Sequence, residues 1–87
     1  MPGNPDPRLN LALTLEQAGQ HDQAIETYQT ALEVVPEHVP TLQALGSLYV
    51  RLGRKDAETK KLMETLAFRA ESEQWRLWAR EQLEKMR

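Results

Sequence analysis

Apolar positions recur at helical spacing in five successive stretches, each bounded by glycine, proline or a residue suited to capping. The first predicts a helix from about Pro7 to Ala18, stopped by Gly19, with Asp6 as N-cap and Pro7 at the first helical position. On it, Leu11, Leu15 and Ala18 form one stripe with Ala12 beside it, while Leu9 and Leu13 form a second stripe displaced around the axis. A single packed face does not use both. The second stripe implies a further covering, by another repeat, a bound peptide or a second copy of the chain.

The second stretch predicts a helix from about Asp22 to Val34, carrying Ala24, Ile25, Tyr28, Ala31, Leu32 and Val35, with Pro36 forcing a stop. A third starts at His38-Val39-Pro40 and runs to Leu52, with Leu42, Leu45, Leu48, Tyr49 and Leu52 at helical spacing. Gly46 lies inside it. A mid-helix glycine costs about 1 kcal/mol against alanine, so a close helix contact is expected there. The fourth begins near Lys55 or Asp56, with Leu62, Met63, Leu66, Ala67 and Ala70 as its apolar face. No proline ends it. A break near Glu71 to Glu73, with Ser72 as N-cap, is expected; the alternative is one uninterrupted helix from Lys55 to the end. In the last stretch Trp75, Trp78, Ala79, Gln82, Leu83 and Met86 face inward on a fifth helix.

These stretches keep a common beat. Gly19 and Gly53 stand at i and i+34, each closing an apolar-periodic segment. Between them come Ala24, Tyr28 and Ala31 on one helix face, then Pro36, then Leu42-x2-Leu45-Gly46-x2-Tyr49. The last run matches the pattern W-x2-L-G-x2-Y with leucine at the tryptophan place, and the whole resembles the tetratricopeptide repeat (TPR) family. GQHDQA after the first glycine becomes GRKDA after the second, a deletion of one residue; with it, Trp75-x2-Trp78-Ala79-x2-Gln82 falls on the same pattern. Pro2 and Pro36 keep the same i, i+34 offset as the glycines. Residues 1–4 then read either as the tail of a preceding repeat in a longer array or as a chance match.

The resemblance implies an all-α fold, a right-handed superhelix of antiparallel helix pairs with a C-terminal capping helix. Residues 1–6 would be an extended segment and residues 7–87 the domain, with repeats over 7–36 and 39–71 and the capping helix over 73–87. It also implies that the first helix of each pair lines a concave surface holding a partner's peptide, and that the signature residues Ala24, Tyr28, Ala31, Pro36, Gly46 and Tyr49 are scaffold. Partner-facing positions would be Leu9, Leu13, Glu16 and Gln17, then Gln43, Ser47, Val50 and Arg51, then Arg76 and Arg80. Arg76 and Arg80, at i and i+4, have the spacing to chelate an anion; the plainer reading pairs them with Glu73 or Glu84 on a solvated face. Some relatives grip acidic chaperone tails with a lysine and asparagine clamp. Here Leu9 and Leu13 stand at those places and Gln43 with Ser47 offers no asparagine, so that ligand is not expected.

Composition narrows the function further. The 87 residues carry a formal net charge of −2, which disfavours nucleic acid as the main ligand. The charge is uneven: residues 1–50 hold one base and six acids, a net of −5, and residues 51–87 hold ten bases and seven acids, a net of +3. No cysteine is present, which excludes disulfides and thiolate zinc sites, and no run approaches the roughly 18 apolar residues of a spanning helix. No secretory signal pattern opens the chain, leaving a cytoplasmic default. His21 and His38 fall at turn or cap positions without a partner at ligand spacing, so no metal, cofactor or catalytic role is expected. The expected function is a non-catalytic protein-interaction module. Two rivals stand beside it: a self-assembly module in which Leu9 and Leu13 meet the same surface of another copy, and a designed or excised repeat fragment without a function of its own. About two and a half repeats, against the usual three or more, favour the first rival.

Overall fold

The computed structural model describes residues 3–86. Pro2, on which the register of a preceding repeat rests, lies outside them. Among the described residues are five helices: α1 (Asp6–Gln17), α2 (His21–Val34), α3 (Val39–Arg51), α4 (Ala57–Arg69) and α5 (Glu73–Lys85). They fall into two compact units, the first ending at Thr41 and the second beginning at Leu42.

In the first unit α1 packs against α2. The helix starts one residue earlier than expected: Pro5 and not Asp6 occupies the N-cap position, without a side-chain cap, the Asn4 Oδ1 just before the first turn accepts the Asp6 N–H at 3.0 Å, and Pro7 stands at the second helical position. At its other end Gly19 takes φ 81°, a conformation that costs glycine nothing. This lets the Gln20 N–H reach the Leu15 carbonyl at 2.9 Å and the Gly19 N–H reach that of Glu16 at 3.0 Å, satisfying two carbonyls that the helix leaves open. The core of this unit is Ala12, Ala24, Tyr28 and Ala31, all fully buried. Small side chains at three of these places let the helix backbones approach, and the Tyr28 ring fills the space left. Its hydroxyl donates to Glu16 Oε1 at 2.7 Å, and burial pushes the phenol above its ordinary pKa of 10.0. The expected α1 stripe of Leu11, Leu15 and Ala18 is corrected: Leu11 is 53 % exposed and Ala18 is exposed, while the packed face runs through half-buried Leu9 and Leu15 around Ala12.

The second unit repeats the same devices. Gly53 takes φ 73°, and the Arg54 N–H to Tyr49 carbonyl and Gly53 N–H to Val50 carbonyl bonds, at 2.9 and 3.0 Å, reproduce the α1 ending one repeat later. Gly46 lies against α4. A Cβ placed there would stand 3.0 Å from Leu62 Cδ2, 3.2 Å from Met63 Cε and 3.4 Å from Leu66 Cδ1, which is why the helix tolerates a poor helix former at this point. Tyr49 is fully buried; its hydroxyl donates to Glu58 and its ring stacks under the Arg54 guanidinium, 4.1 Å from the ring centroid. Leu52, expected on the apolar face, is 42 % exposed, because α3 ends at Arg51 and Leu52 belongs to the turn.

Asp56 caps α4, accepting the Thr59 N–H at 2.9 Å. Helices α4 and α5 are separate, as expected: Ala70 and Ser72 are extended, and α5 restarts at Glu73 and packs against α4. Ser72 occupies the N-cap position without a side-chain cap hydrogen bond. The link after α4 is held from further along the chain: Arg76 Nη1 donates to the Ala70 carbonyl at 2.7 Å and to the Glu71 carbonyl at 2.9 Å, tying that link to the first turn of α5. On α5, Ala79, Gln82 and Met86 are buried, and Trp75 and Trp78 are half-buried, meeting edge to face with ring centroids 5.2 Å apart.

Candidate partner-binding faces

Once the packed residues are set aside, the side chains left on α1 divide sharply by exposure. Leu13 is 38 % exposed and Gln17, one turn further on, is exposed with it. Leu9, expected on the same face, is half-buried. Glu16 is half-buried as well and receives the Tyr28 hydroxyl, so its carboxylate is part of the α1–α2 packing. The outward apolar side chains of α1 are thus Leu11 and Leu13, with the Gln17 amide one turn beyond Leu13.

In the second unit Gln43, Ser47 and Val50 are half-buried on α3 and Arg51 is exposed at its end. Arg80 is exposed on α5, and Arg76 is half-buried with one guanidinium nitrogen committed to the Ala70 and Glu71 carbonyls. That commitment fixes where the rest of the Arg76 fork points. Val50 also borders a cavity of about 130 Å³ lined by Gly53, Arg54, Lys55, Gln82, Lys85 and Met86. Gln82 stands at the repeat place that Tyr49 fills one repeat earlier, and the shorter side chain carries no ring to occupy that volume.

The repeat geometry is decided by four observations taken together: small buried residues at Ala12, Ala24, Ala31 and Gly46, tyrosines filling the gaps beside them, identical glycine endings one repeat apart, and helices paired in sequence. A family model for the tetratricopeptide repeat matches residues 7–71. The chain belongs to the tetratricopeptide repeat family. No curated protein and no solved structure matches it. The matched residues take in α1 to α4, and α5 follows them as one more TPR first helix, with Ala79 buried at the place of Ala12 and Gly46. TPR folds are non-catalytic repeat scaffolds that generally serve protein–protein interaction. Among the described residues no group of three or more His, Cys, Asp or Glu side chains is placed to hold a metal, and no helix is long and apolar enough to cross a membrane. His38 serves the start of α3, its Nδ1 sharing a hydrogen bond of 2.7 Å with the buried Thr41 hydroxyl and its Nε2 lying 3.7 Å from Asp6.

Sequence reasoning gave little weight to the outer faces of the second helices. Phe68 lies 79 % exposed on α4, and Asp22, Glu26 and Glu33 are exposed along α2. The signal for Phe68 was available, since it is two and six residues from Leu66 and Leu62 and so off the packed face they define.

Proposed function

We propose that this chain is a non-catalytic module that holds a segment of another polypeptide against the outward faces of its first helices. In the first unit the contact residues are Leu13 and Gln17, with Leu9 at the edge; in the second they are Gln43, Ser47, Val50 and Arg51 on α3 and Arg76 and Arg80 on α5. The observation that carries the reading is the division of labour on these helices. Of the repeat signature Ala24, Tyr28, Ala31, Gly46 and Tyr49 are buried and Pro36 lies exposed at the turn, and what remains on these helices is leucine, valine, amides, a hydroxyl and arginines, side chains suited to apolar and acidic groups on a peptide. Arginines held partly by the scaffold lose less freedom on binding, which favours a carboxylate-bearing partner at α5.

The test is a peptide selected from a random library on the immobilised chain, mapped by amide chemical-shift changes. Shifts concentrated on Leu13, Gln17, Gln43, Ser47, Arg51 and Arg80 are the expected result. Leu13→Asp should leave helicity intact, because the side chain already meets water, and should weaken the selected peptide by about tenfold or more. Shifts confined to the outer faces of α2 and α4, or a Leu13→Asp chain that binds as before, would overturn the assignment.

A further inference from the structure

The second helices carry faces of opposite charge, and neither face serves the packing of its own unit. On α2, Asp22, Glu26 and Glu33 are all exposed and, at i, i+4 and i+11, lie within an arc of about 40°. No lysine or arginine occurs on α2, so the stripe is uncompensated along its own helix. Half-buried Ile25 and Leu32 border it. On α4 the outward face is built around Phe68, with Glu64 and Lys61 one and two turns before it and Lys60 and Arg69 flanking it on either side, all exposed. The Arg69 guanidinium lies 5.4 Å from the Phe68 ring centroid. With exposed Glu58 in the same arc, three bases against two acids leave this face at +1, where the α2 stripe stands at −3.

Phe68, 79 % exposed among cations, carries more of its surface to water than the other exposed large apolar side chains among the described residues. The same chain presents a one-signed acidic stripe with an aliphatic border, which offers Phe68 an apolar seat and its neighbouring lysines their counter-charges. We propose that the α4 face centred on Phe68 docks against the acidic α2 stripe of a second copy of this chain. The contact joins two different patches, so it is heterologous: copies close into a symmetric dimer where two such contacts form at once, and otherwise add one after another. It uses second-helix faces only and stands independently of a peptide held on the first helices.

Sedimentation velocity over a range of concentrations tests it. The full chain at about 0.05 M salt should gain mass with concentration, and raising salt to about 0.5 M should reduce that gain, because both charged faces are solvent-exposed. Lys60→Glu with Lys61→Glu, and separately Glu26→Lys with Glu33→Lys, should each weaken association by about tenfold or more with unchanged circular dichroism. Mixing the two reversed chains should restore it, since the intact α4 face of one then meets the intact α2 stripe of the other and the two reversed faces are again opposite in charge. Phe68→Ser should weaken it without altering its salt dependence. A wild-type chain that stays monomeric throughout, a mixture that fails to recover, or association that responds to Leu13→Asp and not to the charge reversals would each overturn the proposal.

Discussion

Asp56 offers the most direct check on how the second unit is held, because a single carboxylate joins a helix start to the turn before it. Its Oδ1 accepts from the Thr59 N–H at 2.9 Å and from the Thr59 hydroxyl at 2.7 Å, and its Oδ2 accepts from Arg54 Nε at 2.9 Å and Nη2 at 2.7 Å. The backbone bond from Thr59, then its hydroxyl, then the Arg54 guanidinium all favour the charged form and draw the carboxyl from 3.8 to about 2. At 1.36 kcal/mol per pH unit that difference corresponds to at most about 2.4 kcal/mol. The side chain is 47 % exposed, so solvent screening cuts the figure, and about 1 kcal/mol is expected, in the usual range for an N-cap. Asp56→Asn keeps an acceptor for Thr59 and removes the charge, and should cost about half of that. Asp56→Ala also strands the buried Thr59 hydroxyl, and should cost about 1–2 kcal/mol. Because the folded-state value lies below the unfolded one, the contribution is complete above pH 3.8 and disappears as pH falls toward about 2. Urea unfolding followed by circular dichroism across that window should show the wild type losing its advantage over Asp56→Asn. An NMR titration placing the Asp56 midpoint at or above 3.8, or equal stabilities for all three chains at neutral pH, would refute the reasoning.

Gly46→Ala should change stability by less than about 1 kcal/mol, since the gain in helix propensity of about that size is offset by contacts of 3.0–3.4 Å with the flexible ends of Leu62, Met63 and Leu66. Gly46→Leu has no such room and should cost about 1–3 kcal/mol or more, read as a lower urea midpoint; a tolerated leucine would mean that α3 and α4 are not in close contact there. Ala31→Trp, at a fully buried place on α2, should unfold the first unit through overpacking of about 1–3 kcal/mol or more, and a chain that keeps its helicity and melting temperature would place the α1–α2 contact elsewhere.

Helix identity was legible because its signals are local. Gly19 and Gly53 end helices through bonds made within five residues, Asp56 starts one through a bond to Thr59, and Pro36 ends one by its own ring, so each boundary is written beside the place where it acts. Exposure was less legible. Leu11 and Leu45 occupy the same place in successive repeats, yet they are 53 % and 1 % exposed. The pattern defines a place on a helix, and burial depends on what stands beyond that place, which the residue itself does not encode. The same limit separates the Leu11 stripe, expected inside, from Leu9 and Ala12, which form the packed face.

Arg76 shows how a side chain read as ligand-facing can be drawn into the fold by an absent signal. Helices α1 and α3 end in glycines at positive φ that return backbone N–H groups to their open carbonyls, and α4 reaches Ala70 in an extended conformation that returns none beyond the Ala70 N–H to Leu66. The link that follows is held instead by an arginine in the first turn of α5, long enough to bring one guanidinium nitrogen to the Ala70 and Glu71 carbonyls. Arg76 is thus anchored while Arg80, one turn later, is exposed, so on the proposed partner face the first arginine has less freedom to lose on meeting a carboxylate than the second.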